Sequence, residues 1–388
     1  MSVTNEQKQL LKQTANVLKE NGKQIMTKFY AALFKDHPEY HNYFNATNQT
    51  TGKQPEAFAE TIYYFVQYLD NLDAMKPQMS RLSSKHRAVG VKPELYPTVG
   101  KYLVEAIKQE LKDKATPEVV AAWQALYSLM SSVFIKREKE LYAELGSEAD
   151  QGFVSFTVTK KDKIAAGPTY LLQLERKDGG NLWKYTAGQY VTLRVQKDGV
   201  NYNGHYTLLE PYNGKNYSIA FKQGKETDQN TVTNNEIASN VQVGGQVLVS
   251  APAGSFGVVE GASNNLFIGG GIGITSLMPM INELLQQKKG SQVSVIQCVR
   301  TPENVVFGDQ LNGLPQGQYV TLTEKEPISK ATLDGKVKSD THVYISGSEV
   351  FIGLVKNALS GFNLPKSQVH LKSIEPTLGL LKAIAESN

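Results

Sequence analysis

Cysteine is nearly absent from this 388-residue chain, which contains only Cys298. A single thiol excludes an intrachain disulfide framework and a cysteine-rich metal site. Because Cys298 lies within the apolar run Val293–Val299, we expect it in a buried strand.

The sequence also lacks long apolar runs and a strong net charge. No apolar run reaches membrane-spanning length, and the chain opens with the polar residues 4–9, so we predict no membrane insertion. The 41 Lys and Arg residues nearly balance the 37 Asp and Glu residues, without a concentrated basic run. This balance argues against nucleic acid and membrane-surface partners. We expect a soluble, cytoplasmic protein that acts on small molecules.

The first 145 residues or so carry the apolar spacing of consecutive helices. Thr4 and Gln7 form a capping-box pattern, and Asn21-Gly22 predicts the end of that first helix. Prolines in first-turn positions predict the starts of three later helices: Pro55, Pro93 and Pro117. These patterns predict an all-α domain at residues 1–146.

The hydrophobic period changes after residue 152. Short alternating runs separated by turn residues predict an antiparallel β-barrel domain at residues 152–260. From Asn265 onward, buried strands alternate with helices around a glycine cluster, which predicts a parallel nucleotide-binding sheet at residues 264–388. The fold class is therefore multidomain, with all-α, antiparallel β and α/β parts.

His86 is the most informative residue of the helical part. Met75, Met79, Leu82 and His86 follow at spacings of four, three and four, so the imidazole shares the apolar face of a helix. Such a histidine is either a core residue satisfied by a backbone carbonyl or a metal ligand.

A ligating histidine needs a partner for its second ring nitrogen and a polar group across the bound metal complex. Glu138 and Tyr96 are candidates for the first role, and Tyr30 and Gln54 for the second. Charged neighbours also allow Glu138 to lie on a solvated helix face, and Tyr30 also suits plain core packing.

Five segments together resemble the globin domain of the flavohaemoglobins in order and spacing. They are Lys28-Phe29-Tyr30, Tyr43–Gln49, Lys85-His86, Lys92–Tyr96 and Val133–Glu138. The resemblance implies haem b with His86 as the proximal iron ligand and Phe44 wedging the porphyrin. It also implies that Tyr30 hydrogen-bonds bound O2, that Gln54 and Phe58 line the distal side, and that Tyr96 and Glu138 orient His86.

The rest of the chain resembles the ferredoxin-reductase-like module of the same family. The similar segments are Ala187–Tyr190, Ala251–Phe256 and Gly269–Ser276. The resemblance implies an FAD site that includes Tyr190, Gly204, His205, Tyr206, Thr207 and Thr233. It implies an NAD(P)H site that includes Gly271, Gly273, Thr275 and Gly347, although the glycine cluster alone also suits a strand-to-helix turn without a ligand.

This chain departs from the family pattern at the flavin site. Gly204 stands where the family has the arginine that holds the flavin diphosphate, and only Thr233 replaces the serine of the next phosphate loop. Lys372 and Ile374 stand at the places of an aromatic that covers the flavin and a nearby acid, and Gly347 has lost its cysteine neighbour. We expect these changes to weaken flavin binding or hydride transfer.

The sequence is compatible with two functions. The resemblance implies a nitric oxide dioxygenase, in which O2 and NO form nitrate at a haem that NAD(P)H reduces through FAD. The alternative is a haem-containing gas-binding or sensing protein whose reductase-like module is not catalytic. We expect a monomer in either case.

Overall fold

The computed structural model describes residues 3–44, 53–145, 152–226 and 228–374. The chain forms two compact units. The helical unit runs to Phe153 and includes the short segment Asp198–Asn201, whereas the sheet unit comprises Val154–Lys197 and the described residues from Tyr202 to Ile374. Residues 45–52, which include most of the predicted segment Tyr43–Gln49, lie outside the described part, as does the side chain of Gln54.

Six α-helices build the described helical unit. They are α1 (Asn5–Thr14), α2 (Asn16–Asp36), α3 (Lys53–Gln67), α4 (Lys76–Val89), α5 (Tyr96–Leu111) and α6 (Pro117–Ala143). Thr4 and Gln7 form the predicted capping box of α1, and Thr116 caps α6 through the backbone N–H of Val119. Their apolar faces share one core that includes Leu11, Phe29 and Trp123.

The prediction that Asn21-Gly22 ends the first helix is wrong. The helical run is interrupted at Ala15, between α1 and α2, and Gly22 lies inside α2. A Cβ atom at Gly22 would lie 2.6 Å from the Cβ of Ala59 on α3. Gly22 therefore permits close packing of α2 against α3 rather than ending a helix.

The sheet unit begins with a six-stranded sheet whose strand order is β4-β3-β6-β1-β2-β5. The strands are β1 (Phe153–Ala165), β2 (Thr169–Arg176), β3 (Tyr190–Lys197), β4 (Val200–Thr207), β5 (Tyr217–Lys222) and β6 (Gln246–Ser250). The pairs β1–β2, β2–β5 and β3–β6 are antiparallel, as the alternating runs predict. A helix, α7 (Gln229–Asn240), lies between β5 and β6 in sequence.

The second sheet of this unit is parallel, with strand order β11-β10-β7-β8-β9. The strands are β7 (Asn264–Gly270), β8 (Val293–Cys298), β9 (Tyr319–Leu322), β10 (Thr341–Gly347) and β11 (Val369–Ser373). The helices are α8 (Met278–Gln286), α9 (Gly308–Leu311), α10 (Lys330–Leu333) and α11 (Glu349–Leu359). Cys298 ends β8 in a partly buried position.

Helix α6 is long and apolar enough, by length and composition alone, to cross a membrane. Its residues Trp123, Leu126, Met130 and Phe134 pack into the core of the helical unit. Core helices of water-soluble proteins pass the same test, so this helix is weak evidence for insertion.

Candidate functional site

His86, Tyr96 and Glu138 meet in the helical unit. Helix α4 carries His86, α5 begins with Tyr96, and α6 carries Glu138, which is only 1% exposed. The Nδ1 atom of His86 lies 2.8 Å from Glu138 Oε1 and 3.0 Å from the Tyr96 hydroxyl. The Tyr96 hydroxyl in turn donates to the same carboxylate oxygen at 2.6 Å.

This arrangement fixes the orientation of the imidazole. An ionised carboxylate only accepts hydrogen bonds, so the proton of His86 lies on Nδ1 and the lone pair on Nε2. Burial, followed by the charge of Glu138, raises the pKa of Tyr96 well above its usual range, which keeps this hydroxyl a donor. The Nε2 atom has no hydrogen bond among the described residues. His86 therefore presents one prepared nitrogen ligand.

Two features of the sequence hold this group without having been predicted. Tyr127 on α6 donates a hydrogen bond to the backbone carbonyl of Tyr96 at 2.8 Å. Its ring lies over Gly100, where a Cβ atom would come within 2.4 Å of a ring carbon. At the end of α4, Gly90 adopts a left-handed conformation with φ of 81° and closes the helix just after His86. Only three-dimensional packing reveals the role of Tyr127.

A cluster of aromatic rings surrounds Tyr30. Tyr30 is 4% exposed, and its ring centroid lies 5.2 Å from that of Phe44 and 6.3 Å from that of Phe58. Phe65 on α3 packs against Phe134 on α6, and the ring centroid of Phe134 lies 5.6 Å from that of the His86 imidazole. Aromatic rings thus lie around Tyr30 and against His86. It does not describe the side chain of Gln54.

The donor set around His86 suits a porphyrin iron. The described residues contain no group of three or more His, Cys, Asp or Glu side chains that would hold a free metal ion. A porphyrin supplies four nitrogen ligands itself and needs only one from the protein, with a carboxylate or carbonyl on the second ring nitrogen. His86 and Glu138 meet that requirement.

In the sheet unit, Lys372 joins two of the predicted flavin residues. Its Nζ atom donates to Thr207 Oγ1 at 2.9 Å and to the Gly188 carbonyl at 3.2 Å. The same atom lies 5.8 Å from the ring centroid of Tyr190 and 5.5 Å from that of Phe256. We call the space bounded by Gly188, Tyr190, Thr207 and Phe256 the ring slot.

The predicted diphosphate residues make contacts with other residues of the protein. Tyr206 lies over Gly204, with its hydroxyl 2.3 Å from where a Cβ atom of residue 204 would stand. The hydroxyl of Thr233 donates to the Gln229 carbonyl of its own helix, and Asp228 caps the start of α7. His205 packs against Tyr190, with ring centroids 5.3 Å apart, and its Nδ1 atom lies 2.9 Å from Thr192 Oγ1. A negative cap and a missing arginine do not suit a flavin diphosphate.

The glycine segment forms a 3₁₀ turn, Gly271–Ser276, before α8 begins at Met278. Gly273 allows this turn to touch β10, because a Cβ atom there would lie 2.3 Å from the carbonyl oxygen of Ser346. Gly271 is open, with nothing within 4 Å of its Cβ position. Thr275 donates its hydroxyl to the Ile272 carbonyl. Gly347 lies against Phe351, at the carboxyl end of β10, the edge where parallel sheets bind nucleotides.

Comparison with known proteins gives consistent matches for both units. The globin family model matches residues 27–134. A flavohemoprotein from Bacillus anthracis is 36% identical over 397 residues, covering 96% of this chain and 98% of that protein.

Two solved structures have related folds. The flavohemoglobin from Malassezia yamatoensis, solved with bound FAD and heme, has a TM-score of 0.85 at 24% identity and covers 97% of this chain and 100% of its own. The flavohem-like FAD/NAD binding domain of nitric oxide dioxygenase from Vibrio cholerae has a TM-score of 0.50 at 23% identity, covering 57% of this chain and 98% of its own. The first fold agrees with the predicted all-α domain followed by a reductase-like module, and the second agrees with the reductase-like module alone. Since the identity to a curated relative exceeds 30% across nearly its full length, this chain belongs to the flavohemoprotein family.

Proposed function

We propose that this protein is a nitric oxide dioxygenase that binds haem b through His86 in its helical unit. When bound, the haem supplies the iron at which O2 and NO combine to give nitrate. The single observation that carries the proposal is the buried carboxylate of Glu138, which lies 2.8 Å from His86 Nδ1.

The role of Glu138 follows from its acceptor chemistry. A carboxylate that accepts the Nδ1 proton gives the imidazole partial imidazolate character and makes Nε2 a stronger donor to iron, which favours O2 activation over reversible storage. The Tyr96 hydroxyl shares the same oxygen at 2.6 Å and so restricts the carboxylate to one position. A histidine bonded only to a backbone carbonyl would lack this effect.

Tyr30 is assigned to the opposite, distal side, where its hydroxyl would donate a hydrogen bond to the bound gas. Phe44 and Phe58 form the apolar surroundings of its ring, and such walls exclude water and strengthen the remaining hydrogen bond. Gln54 is assigned to the same side by resemblance to the family.

The reducing equivalents are assigned to NAD(P)H at the carboxyl edge of the parallel sheet. Gly271, Gly273 and Thr275 lie on the loop that follows β7, and Gly347 ends the neighbouring strand β10, where the next loop begins. Brought together at one sheet edge, these loops are typical of nucleotide sites in α/β folds. The expected setting is the cytoplasm, with a monomeric protein.

In the conformation of this structure, the flavin part of the site does not fit FAD. Lys372 occupies the ring slot, and Gly204 lacks the arginine that would hold the diphosphate. We therefore assign no flavin step to particular side chains.

Steady-state turnover tests the proposal. Haem-loaded protein is supplied with NADH, O2, NO and saturating added FAD, and NO loss is followed with an electrode while nitrate is measured. We expect one nitrate for each NO consumed, at a rate well above that without NADH. Equal rates with and without NADH would rule out the dioxygenase.

A second candidate is a gas-binding or sensing haem protein whose sheet unit is not catalytic. The specific observation in its favour is the hydrogen-bonded Lys372 in the ring slot. This candidate predicts reversible binding of O2 or NO to dithionite-reduced protein together with no reduction of the haem by NADH, even with added FAD.

A further inference from the structure

A side chain of the protein itself fills the ring slot. The Nζ atom of Lys372 makes two hydrogen bonds, to Gly188 and Thr207, and lies within 6 Å of the centroids of two aromatic rings. Cations are attracted to aromatic ring faces at such distances. The ammonium group is therefore held in a specific position rather than extended into solvent.

This position is unusual for a lysine. Lysine side chains normally place their charged end in water even where the aliphatic stem is buried. Burial here lowers the pKa of Lys372 from 10.5 to about 7. Lys372 is fixed in place by β11, whose register pairs it with Ser346 on β10. The sheet thus directs this side chain toward the slot.

Thr207 links the slot to the glycine turn. Its hydroxyl accepts from Lys372 and lies 3.3 Å from the hydroxyl of Ser276. Thr207 is only 7% exposed. An acceptor lone pair that a ligand N–H would use in this slot is therefore already engaged by the lysine.

A second side chain covers the place next to the slot. Tyr206 is 4% exposed, lies over Gly204 and donates its hydroxyl to Asn234 Oδ1 on α7 at 2.7 Å. Any larger side chain at position 204 would collide with this ring. Tyr206 and α7 thus close the region in which a cation would bind a diphosphate.

We propose that Lys372 is a displaceable internal occupant of the ring slot, so that flavin binds only when this side chain leaves, and that the slot recognises the flavin ring rather than the diphosphate. The proposal rests on the flavohemoprotein assignment of the sheet unit. It does not depend on dioxygenase turnover, because it concerns binding alone. Flavin binding is consequently weak and reversible, and FAD, FMN and riboflavin bind with similar affinity.

The role of Lys372 is tested by titrating the haem-loaded full-length protein with riboflavin and with FAD. Binding is followed by the quenching of flavin fluorescence. We expect Lys372→Ala to bind riboflavin about tenfold or more tightly than the wild type, since one charge-assisted contact no longer has to be broken. The matched control is Lys366→Ala, which changes an exposed lysine just before β11 and leaves the affinity unchanged.

A second variant keeps the test decisive if the alanine protein folds poorly. Lys372→Met retains the length of the side chain without its charge, and we expect it also to bind riboflavin more tightly than the wild type. Native folding of each variant is checked by circular dichroism. Unchanged riboflavin affinity in a folded variant would overturn the proposal.

Comparing FAD with riboflavin tests whether the slot recognises the flavin ring rather than the diphosphate. We expect FAD and riboflavin affinities of the wild type to agree within about tenfold, because Gly204 provides no charge-assisted contact to phosphate. Stoichiometric FAD that survives purification, or an FAD preference of about a hundredfold, would show that the diphosphate is held after all. Failure of NADH-driven turnover with normal flavin titrations would instead count against the dioxygenase alone.

Discussion

The side-chain hydroxyl of Tyr127 donates a hydrogen bond to the backbone carbonyl of Tyr96 at 2.8 Å, which ties α6 to the first residue of α5. Tyr96 is also the residue whose hydroxyl holds Glu138 at 2.6 Å. The position of the carboxylate beside His86 therefore depends on a contact that does not itself touch the imidazole.

Replacing Tyr127 with phenylalanine should loosen this support. Loss of one partly buried hydrogen bond is expected to lower the free energy of unfolding by about 0.5–1.5 kcal/mol. We also expect a small downward shift of the iron–histidine stretching frequency in the ferrous protein. Tyr102→Phe is the control, because it removes an exposed hydrogen bond from Tyr102 on α5 to Asp36 on α2. Equal frequency shifts in both variants would contradict the link through Tyr96.

Glu138→Gln should weaken the donor strength of His86 more directly. A neutral amide accepts the Nδ1 proton less strongly than a carboxylate, so resonance Raman spectra of the ferrous haem protein should show a lower iron–histidine frequency. Changing a buried partner of this network is also expected to cost about 1–3 kcal/mol in stability.

The control for this substitution is Glu140→Gln, two residues further along α6. Glu140 is exposed and pairs with Arg137, so its loss should leave the frequency unchanged. If the two variants gave the same spectrum, Glu138 would have no electronic role.

Glycine-to-alanine substitutions in two helices should have opposite effects on the stability of the protein. Alanine is favoured over glycine in a helix by about 1 kcal/mol, but in Gly22→Ala the new Cβ would lie 2.6 Å from Ala59. Overpacking of about 1–3 kcal/mol should outweigh the gain and lower stability. Gly353→Ala has open space around its Cβ and should be stabilising. Urea denaturation of each variant measures both signs, and a stabilised Gly22→Ala protein would contradict the packing role.

Lys372 should make the stability of the sheet unit depend on pH. Its pKa is about 7 in the folded protein but near 10.5 when exposed, so the unfolded chain binds an extra proton between these values. The free energy of unfolding should therefore rise with pH from about 7 toward 10.5, and below pH 7 the burial penalty is fully present. Denaturation midpoints at pH 7, 8 and 9 should show this rise in the wild type and a smaller one in Lys372→Met. Identical slopes in both proteins would exclude the lysine as the cause.

Cys298 should be an unreactive thiol in the folded protein. Burial raises its pKa to about 12, so at pH 8 only about one molecule in ten thousand carries the thiolate. Because the chain has a single cysteine, reaction with a disulfide reagent reports this site alone. We expect slow reaction of the native protein and rapid reaction in urea. Comparable rates in both states would show that the thiol is accessible.

Much of the fold could be predicted from hydrophobic spacing, because helices with one buried face repeat apolar residues every three to four positions, and parallel strands buried on both faces, such as β7, are continuous apolar runs. The apolar period places the helices around His86 and the parallel strands around Ile268 correctly. The predicted helix end at Gly22 was wrong, because the local sequence signal of a helix end competes there with a tertiary contact to Ala59. The strand containing Gly204 and the helix α7 were not predicted, because both are polar segments without a clear period.

The candidate site could be predicted only where residue identity carries the chemistry. His86, Tyr96 and Glu138 come from three helices. The helical spacing of apolar residues singled out His86, whereas only the resemblance implied that Tyr96 and Glu138 orient it. Charged neighbours allowed Glu138 to be a solvated residue, and its burial depends on how α6 packs. The contact between Lys372 and Thr207 could not be predicted, since it spans 165 positions of the chain.

Helix α6 places Phe134 and Glu138 one turn apart, and both lie against His86. A helix turns about 100° per residue, so inserting or deleting one residue before Phe134 would swing both side chains away from the imidazole. Substitutions on the outer face of α6 leave that orientation intact. Selection on this helix should consequently preserve the number of codons between Thr116 and Glu138 more strictly than the identity of most residues encoded there.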